Sequence, residues 1–315
     1  MVKNCGALRQ TEEIEIWERN CVPRYAYYPG CVAQGAAREL HQATLAIAPV
    51  LGLELVELAG AACCGSGTFV ERDRRLEWTV NARNLALAER LGLPLLTQCS
   101  TCQGVIGRTD CTLKQDATER AAINEALAAS GEGLVFRGET EVLHLLWALL
   151  RDVGLATLAA KVQRPLTGLR CGAFYGCYLL RAGAKRWDDP WQPESLEKVF
   201  TALGATPVYY EGRTQCCGWP ISSYAPDRAF AIAGTHLQEA IAAGADCLVT
   251  PCPLCHLQLD SRQPEIAQRL GQPLALPVLH LSQLVGLALG LAPAALGLER
   301  HVVATRSVWE KLCIE

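Results

Sequence analysis

Three stretches of this chain occur twice in the same order, and that duplication limits the fold to one built from two copies of a single unit. The segment "LGLELVELAGAACCG" (51–65) answers "LGATPVYYEGRTQCCG" (203–218), "LLTQCSTC" (95–102) answers "LVTPCPLC" (248–255), and "EVLHLLWALL" (141–150) answers "PVLHLSQLVG" (277–286). Spacing repeats as well: 34 residues separate Cys64 from Cys99, and 34 separate Cys217 from Cys252. Upstream the copies differ, with 31 residues between Cys31 and Cys63 but 38 between Cys177 and Cys216.

Each copy has the same local pattern. "YAYYPGC" (25–31) and "LRCGAFYGC" (169–177) predict short strands that end in a glycine turn at a cysteine. A helical stretch follows, "ELHQATLAIAPVLG" or "ESLEKVFTALG", then a strand, "LELVEL" or "TPVYY", and a loop with an adjacent cysteine pair. Helices over roughly residues 72–91 and 225–244 lead to a third strand that delivers a CxxC at its end. Strands alternating with crossover helices imply a parallel sheet, whose sites gather at the carboxyl ends of the strands. The expected fold is therefore α/β, two repeated domains with small parallel sheets related by approximate internal pseudo-two-fold symmetry. The helical run around "LATLAAKVQRPLTG" passes into Pro and Gly between residues 155 and 168, which places the domains at 25–160 and 161–290, with extensions at 1–24 and 291–315.

Sixteen cysteines in 315 residues would suit a disulfide framework in a small secreted chain, but half of this chain is hydrophobic and its polar start has no apolar signal core. A reducing, cytoplasmic setting is expected, where clustered thiolates hold metals or do redox chemistry, with a membrane-peripheral complex still compatible. The formal net charge of -3 argues against a mainly electrostatic grip on nucleic acid. The most apolar run, "LVGLALGLAPAALGL" (284–298), is 15 residues with Pro293 inside, which predicts a buried, broken helix rather than a membrane span.

A CxxC with two distant thiolates makes a tetrahedral zinc site, yet each copy offers five repeated cysteines, one more than zinc takes. Adjacent cysteines on extended backbone point to opposite sides, so Cys63 with Cys64, and Cys216 with Cys217, serve one ion only if the loop bends tightly at Gly65 and Gly218. A polynuclear cluster accepts neighbouring thiolates more readily. Five also exceed the four of an ordinary cubane, so spacing favours an unusual iron-sulfur assembly without fixing its geometry.

The patterns C-x31-CCG-x33-CxxC and C-x38-CCG-x33-CxxC, with "YYPGCVAQ", "FYGCYLLR" and "GADCLVTPCPLCHLQLD" in order, resemble the two cysteine-rich CCG modules of the heterodisulfide reductase B-subunit family, over residues 25 to about 286. Related modules occur in fumarate reductase, glycolate oxidase and lactate utilisation subunits. The resemblance implies one noncubane [4Fe-4S] cluster per module, two in all, held by Cys31, Cys63, Cys64, Cys99 and Cys102 and by Cys177, Cys216, Cys217, Cys252 and Cys255. One cluster with one zinc is the runner-up. It further implies that the clusters rather than a side-chain nucleophile form the site, two one-electron centres dividing disulfide reduction or related thiol or persulfide chemistry. A small disulfide, thiol or sulfur-carrier protein would be the substrate. The chain has no CxxCxxCxxxC run and no GxGxxG opening a strand and helix, so electrons need partners: in the family, an HdrC-like ferredoxin subunit and an HdrA-like flavoprotein. Two alternatives stand beside this reading. One is an electron-transfer subunit of a flavin-dependent hydroxy-acid oxidase or fumarate reductase; the other is a zinc-stabilised nonenzymatic assembly module.

Among the remaining residues, Cys177 rather than Cys171 matches the first module's upstream cysteine. Cys5, Cys21, Cys111, Cys247 and Cys313 have no repeat counterpart; burial as small hydrophobes is their default, with partner contact an option for Cys5 and Cys21. His256 follows a proposed ligand where the other copy has Gln103; a non-chemical role is expected, with donation to a cluster sulfur or to a released thiol as the alternative. His144 and His280 repeat in "VLHL" and are expected to join a strand end to a helix start, while His41 and His236 are expected on helix surfaces or at caps. The run "ERDRRLE" (71–77) predicts a solvated helix face. Gly30, Gly65, Gly176 and Gly218 are expected at tight turns, with Tyr27, Tyr28, Phe174, Tyr175 and Tyr178 packing around the cysteines.

Overall fold

The computed structural model describes residues 22–66, 68–181 and 187–314. The expectations for Cys5 and Cys21 and for the body of the N-terminal extension lie outside these residues. In chain order the first copy runs β1 (Arg24–Tyr27), α1 (Cys31–Gln34), α2 (Arg38–Leu51), β2 (Glu54–Glu57), α3 (Thr68–Arg72), α4 (Arg74–Leu91), β3 (Leu95–Thr97), α5 (Ser100–Gln115), α6 (Ala117–Ala129), β4 (Val142–His144) and α7 (Leu145–Ala148). After α8 (Leu155–Ala160) the order restarts with β5 (Arg170–Ala173), α9 (Ser195–Ala202), β6 (Thr206–Val208), α10 (Pro226–Ala242), β7 (Cys247–Thr250), α11 (Pro253–His256), α12 (Gln263–Leu270), β8 (Val278–His280), α13 (Leu281–Ala288) and α14 (Arg306–Lys311).

Two repeated α/β regions result, each with a small parallel four-stranded sheet. The orders are β2-β1-β3-β4 and β6-β5-β7-β8, and every pairing is parallel. Parallel strands are covered on both faces, so their central members carry no alternating pattern. Accordingly β3 (LLT) and β7 (CLVT) are buried at every position. The fourth strand of each sheet, "VLH", went beyond the three expected from the sequence because three residues are too few to show a period.

Local signals set the helix ends. Asp73 caps α4 by accepting from the Arg75 and Leu76 N–H groups, and Gly92 closes it in the left-handed conformation. The helix expected over roughly 72–91 is therefore α4, started by the Asp73 cap, with the short α3 ending just before it. Glu77, expected on a solvated face, is buried, although the rest of "ERDRRLE" is exposed. The apolar run at 284–298 forms the end of buried α13 and then breaks into a separate turn at Pro293–Leu296. No helix among the described residues is long and apolar enough to cross a membrane.

The chain divides into two compact units. One contains the strand before Gly30 and residues Gly52–Leu145; the other contains Cys31–Leu51, Leu146–Leu180 and the chain from Asp188. Residues 31–51 thus fold with the second sheet although they lie between two strands of the first. There α2 packs against α13, Gln42 Nε2 donates to the Ala294 carbonyl at 2.8 Å, and Lys161 Nζ donates to the Val50 carbonyl at 2.9 Å. A Cβ on Gly297 would approach Glu39 Cβ to 2.8 Å, so the helix and the turn meet only because that position is glycine.

In the first unit Lys114 Nζ bridges Asp110 Oδ2 and the Thr140 carbonyl, both at 2.8 Å, and ties α5 to the approach of β4. Burial is the dominant influence on Asp110 and outweighs Lys114, raising its pKa from 3.8 to about 6. The folded chain therefore binds this proton more tightly than the unfolded chain. The associated stability is full below pH 3.8 and is lost as pH rises through 6. Asp110→Asn, which cannot ionise, is expected to gain on the parent by about 1–3 kcal/mol between pH 4 and 7. Paired urea titrations across that range check this; a constant difference would count against it.

Candidate metal centre

Both sheets present their cysteines at the carboxyl ends of strands. In the first unit β3 runs into Cys99, which caps α5: the Cys102 N–H donates to Cys99 Sγ at 3.3 Å. A helix start collects unpaired N–H groups and positive dipole, a setting that favours anionic sulfur. The loop after β2 places Cys64 Sγ 3.5 Å from Cys102 Sγ. Its backbone turns so that the Gly65 N–H donates to Cys63 Sγ and the Ser66 N–H to Cys64 Sγ, each at 3.4 Å. The adjacent pair is thus bent by a left-handed turn at Gly65 and Ser66. Four of the five first-copy cysteines belong to this unit; Cys31 begins α1 in the other.

The second unit repeats the plan with all five of its cysteines in one body. Cys252 precedes α11, Cys255 lies within it, and the Gly218 N–H donates to Cys216 Sγ at 3.4 Å. The turns before the upstream cysteines match: Gly30 (φ 77°) and Gly176 (φ 64°) are left-handed, and a Cβ there would sit 3.1 Å from Cys102 Sγ and 2.9 Å from Cys255 Sγ. Only glycine allows both the turn and that approach. Cys171 lies elsewhere, on β5 with its sulfur 3.8 Å from that of Cys247 on β7, both buried.

The cysteine loops are held by residues that the sequence pattern did not single out. Asn84 on α4 closes two hydrogen bonds with Ala62, accepting from its N–H at 2.8 Å and donating to its carbonyl at 2.9 Å, and Asn81 Nδ2 donates to the Cys64 carbonyl at 3.1 Å. Tyr28 OH adds a donation to the Ala62 carbonyl at 2.7 Å. In the second unit His236 on α10 does this work, its Nε2–H donating to the Cys216 carbonyl at 3.1 Å. His236 is buried, which corrects its expected place at a surface or cap. Tyr175, expected to pack around the cysteines, also donates to Glu197, which accepts from Arg213 Nη1 at 2.8 Å. Polar residues three positions apart on a helix following a CCG run were the available signal for Asn81 and Asn84; His236 had no first-copy histidine to match it.

Electrostatics show what these thiols lack. The Cys102 contact favours ionisation of Cys64, but Cys63 and burial outweigh it and push Cys64 up to about 12. Cys102 is raised well above the usual thiol range by Cys64, Cys99 and burial, and Cys255 by Cys217, Cys252 and burial. Cys217 is raised as well, Cys216 and burial outweighing the contact with Cys255. Crowded thiols in a buried site ionise together only when positive charge sits among them. The residue after the first CxxC adds to this. Both amide atoms of buried Gln103 have no hydrogen-bond partner. A soft, polynuclear cation therefore suits the donor set.

His256 stacks on His280, with ring centroids 4.0 Å apart, and meets His301 edge-on. His280 also begins α13 in the way expected of "VLHL", its N–H donating to Gln283 Oε1 at 2.9 Å. Burial and the neighbouring imidazoles lower His256 well below the usual histidine range and hold His301 at about 3.

The cysteine-rich (CCG) domain family model matches residues 25–107 and 171–260. Over 281 residues the chain is 41% identical to the 8-methylmenaquinol:fumarate reductase membrane anchor subunit of Wolinella succinogenes, covering 89% of this chain and 96% of that protein. It is 32% identical to the B subunit of the ferredoxin:CoB-CoM heterodisulfide reductase of Methanosarcina mazei, covering 89% and 94%. A protein of Archaeoglobus profundus described as similar to the heterodisulfide reductase B subunit is 31% identical, covering 86% and 92%. The crystal structure of a hypothetical protein from Helicobacter pylori shares the fold, with a TM-score of 0.75 at 17% identity; the match covers 91% of this chain and 53% of that one.

Asn84→Ala leaves the half-buried Ala62 N–H without its partner and removes the hydrogen bonds that close the loop on α4, at a cost of about 1 kcal/mol. In the metal-free chain, alkylation of Cys64 is expected to accelerate severalfold while that of Cys217 stays unchanged, as read by mass spectrometry. Equal rates before and after the substitution would show that Asn84 does not hold the loop.

Proposed function

The chain belongs to the cysteine-rich CCG domain family and is homologous to heterodisulfide reductase B subunits over most of its length, and on that basis we propose that it is the iron-sulfur subunit of a heterodisulfide reductase-like complex. The observation that carries the reading is the repeated geometry at the sheet ends. In each copy the second cysteine of the CCG run and both cysteines of the CxxC are buried, and backbone N–H groups are aimed at sulfur. The proposed ligands are Cys31, Cys63, Cys64, Cys99 and Cys102 for one noncubane [4Fe-4S] cluster and Cys177, Cys216, Cys217, Cys252 and Cys255 for the other. The limits 25–160 and 161–290 for the two CCG repeats belong to the same proposal.

When bound, such clusters supply one-electron redox capacity and iron with affinity for sulfur. The protein's part is to hold and tune. N–H groups at Gly65, Ser66, Cys102 and Gly218 stabilise thiolate charge, Gly30 and Gly176 admit the backbone to the sulfurs, and Asn81, Asn84 and His236 fix the loops. We assign the electron supply to a ferredoxin-like and a flavin-containing subunit, and the substrate to a small disulfide, thiol or sulfur-carrier protein.

The 41% identity to the Wolinella fumarate reductase subunit favours a second reading, an electron-relay subunit in a fumarate-reducing assembly. Both readings share the clusters and differ in what the complex reduces.

Anaerobic purification followed by iron, acid-labile sulfide and zinc analysis of one sample tests the shared part. About eight irons and eight sulfides per chain are expected from two four-iron clusters, and Cys64→Ser or Cys217→Ser should each remove about half of them. Cysteine-bound zinc with little sulfide would overturn the proposal in favour of an assembly module. Reconstitution with the partner subunits then separates the readings: turnover of a disulfide supports the first, and turnover of fumarate the second.

A further inference from the structure

The second unit contains a further group of metal-ligating side chains with no cysteine in it. Glu39 comes from α2, His256 from the end of α11 and His280 from the end of β8. All three are buried, and one donor atom of each lies within 4.8 Å of the others. His280 Nε2 stands 3.3 Å from Glu39 Oε1. That matches the edge of a tetrahedron, about 3.3 Å, around an ion bound at about 2.0–2.1 Å. His256 Nε2 is engaged with His301 Nδ1 at 3.2 Å, which leaves His256 Nδ1, buried and without a partner, as the free donor.

The surroundings have the form of a supporting shell. The Gln283 amide meets His301 Nε2 at 2.9 Å, so a chain from Gln283 through His301 sets the His256 ring and its tautomer. Arg300 Nε lies 3.5 Å from Glu39 Oε2 and steadies the carboxylate. Asp260 is the other acid nearby, and its two oxygens already accept the Val302 and Val303 N–H groups at 2.9 and 3.2 Å, so it serves the shell rather than an ion. A buried polar network needs no metal if every member is paired. This one leaves two imidazole nitrogens unpaired, His256 Nδ1 and His280 Nδ1, in a group that also holds the Glu39 carboxylate, and two stacked rings make no hydrogen bond through their faces.

We propose that Glu39, His256 and His280 form a mononuclear zinc site, separate from both sets of cysteines. Two imidazoles and a carboxylate are a zinc donor set, with the fourth position left for water or a further ligand. The ion pins α2 to α11, which carries Cys255, and to the end of β8. It is structural in effect: His256 is the next residue after Cys255, so the bond that holds its ring also holds that helical turn.

The site does not depend on the iron-sulfur reading, and the test reads the two separately. The full chain, purified anaerobically with any iron it carries, is analysed for iron, sulfide and zinc and then measured at the zinc absorption edge. One zinc per chain is expected, with nitrogen and oxygen neighbours at about 2.0–2.1 Å; sulfur neighbours at about 2.3 Å, or no zinc after supplementation, would overturn the proposal. His280→Ala and Glu39→Gln are each expected to lower retained zinc at least tenfold with iron content unchanged, and retention of zinc by both would also overturn it. If neither variant folds, cobalt(II) titration of the zinc-stripped parent decides. Visible bands without sulfur-to-cobalt charge transfer support the site, while charge-transfer bands alone, or no binding, reject it.

Discussion

Packing thiols against one another out of water is the constraint around which this molecule is arranged. A sulfur-sulfur approach of 3.5 Å between Cys64 and Cys102, inside a site that disfavours their ionisation, gives the apoprotein little for the effort of bringing them together. The cost becomes reasonable only with positive charge at the centre, and the surrounding architecture prepares for that charge. Strand ends bring the backbone in, and a helix start offers N–H groups at Cys102. The left-handed turn does the same at Gly65 and Ser66. The side-chain amides of Asn81 and Asn84 then keep the loop from relaxing. Removing net charge from the sulfurs and removing freedom from the loop serve one end.

The two copies reach that end by different means, and the differences bear on function. Asparagines brace the first loop; a buried histidine braces the second. After the CxxC the first copy has an amide and the second an imidazole, the latter drawn into a group with His280 and His301. Hydrogen bonds near sulfur and changes in local polarity shift iron-sulfur potentials. On the proposed reading, two clusters with matching ligands and unlike surroundings would hold their electrons at different energies.

Duplication made much of the fold legible in the amino-acid sequence. The order of strands and crossover helices followed from repeated punctuation at Gly30, Gly65, Gly176 and Gly218, and family membership followed from the CCG and CxxC runs. What escaped was of two kinds. Short elements such as Val142–His144 carry too little sequence to show a period. Contacts between distant residues left no local trace: Glu39 reads as an ordinary polar residue at a helix start, and only the folded chain reveals it 3.3 Å from His280, 241 positions away. Likewise the acidic and basic run at 71–77 looked uniformly solvated until Asp73 proved to be a cap and Glu77 a buried side chain.

The assignment of residues 31–51 to the second compact unit bears on how the chain is made as well as on how it is held. Synthesis runs from the amino terminus, so α2 leaves the ribosome long before α13 and the turn at Pro293–Leu296 exist to receive it. Its apolar face, with Leu40, Ile47 and Leu51, must wait exposed or in temporary company until more than two hundred further residues have been added. A nascent first half is thus an unfinished object, with a hydrophobic helix in need of shelter and Cys31 attached to it. Docking of α2 belongs to the end of synthesis, when α13 and the turn after it have arrived to set that helix in place.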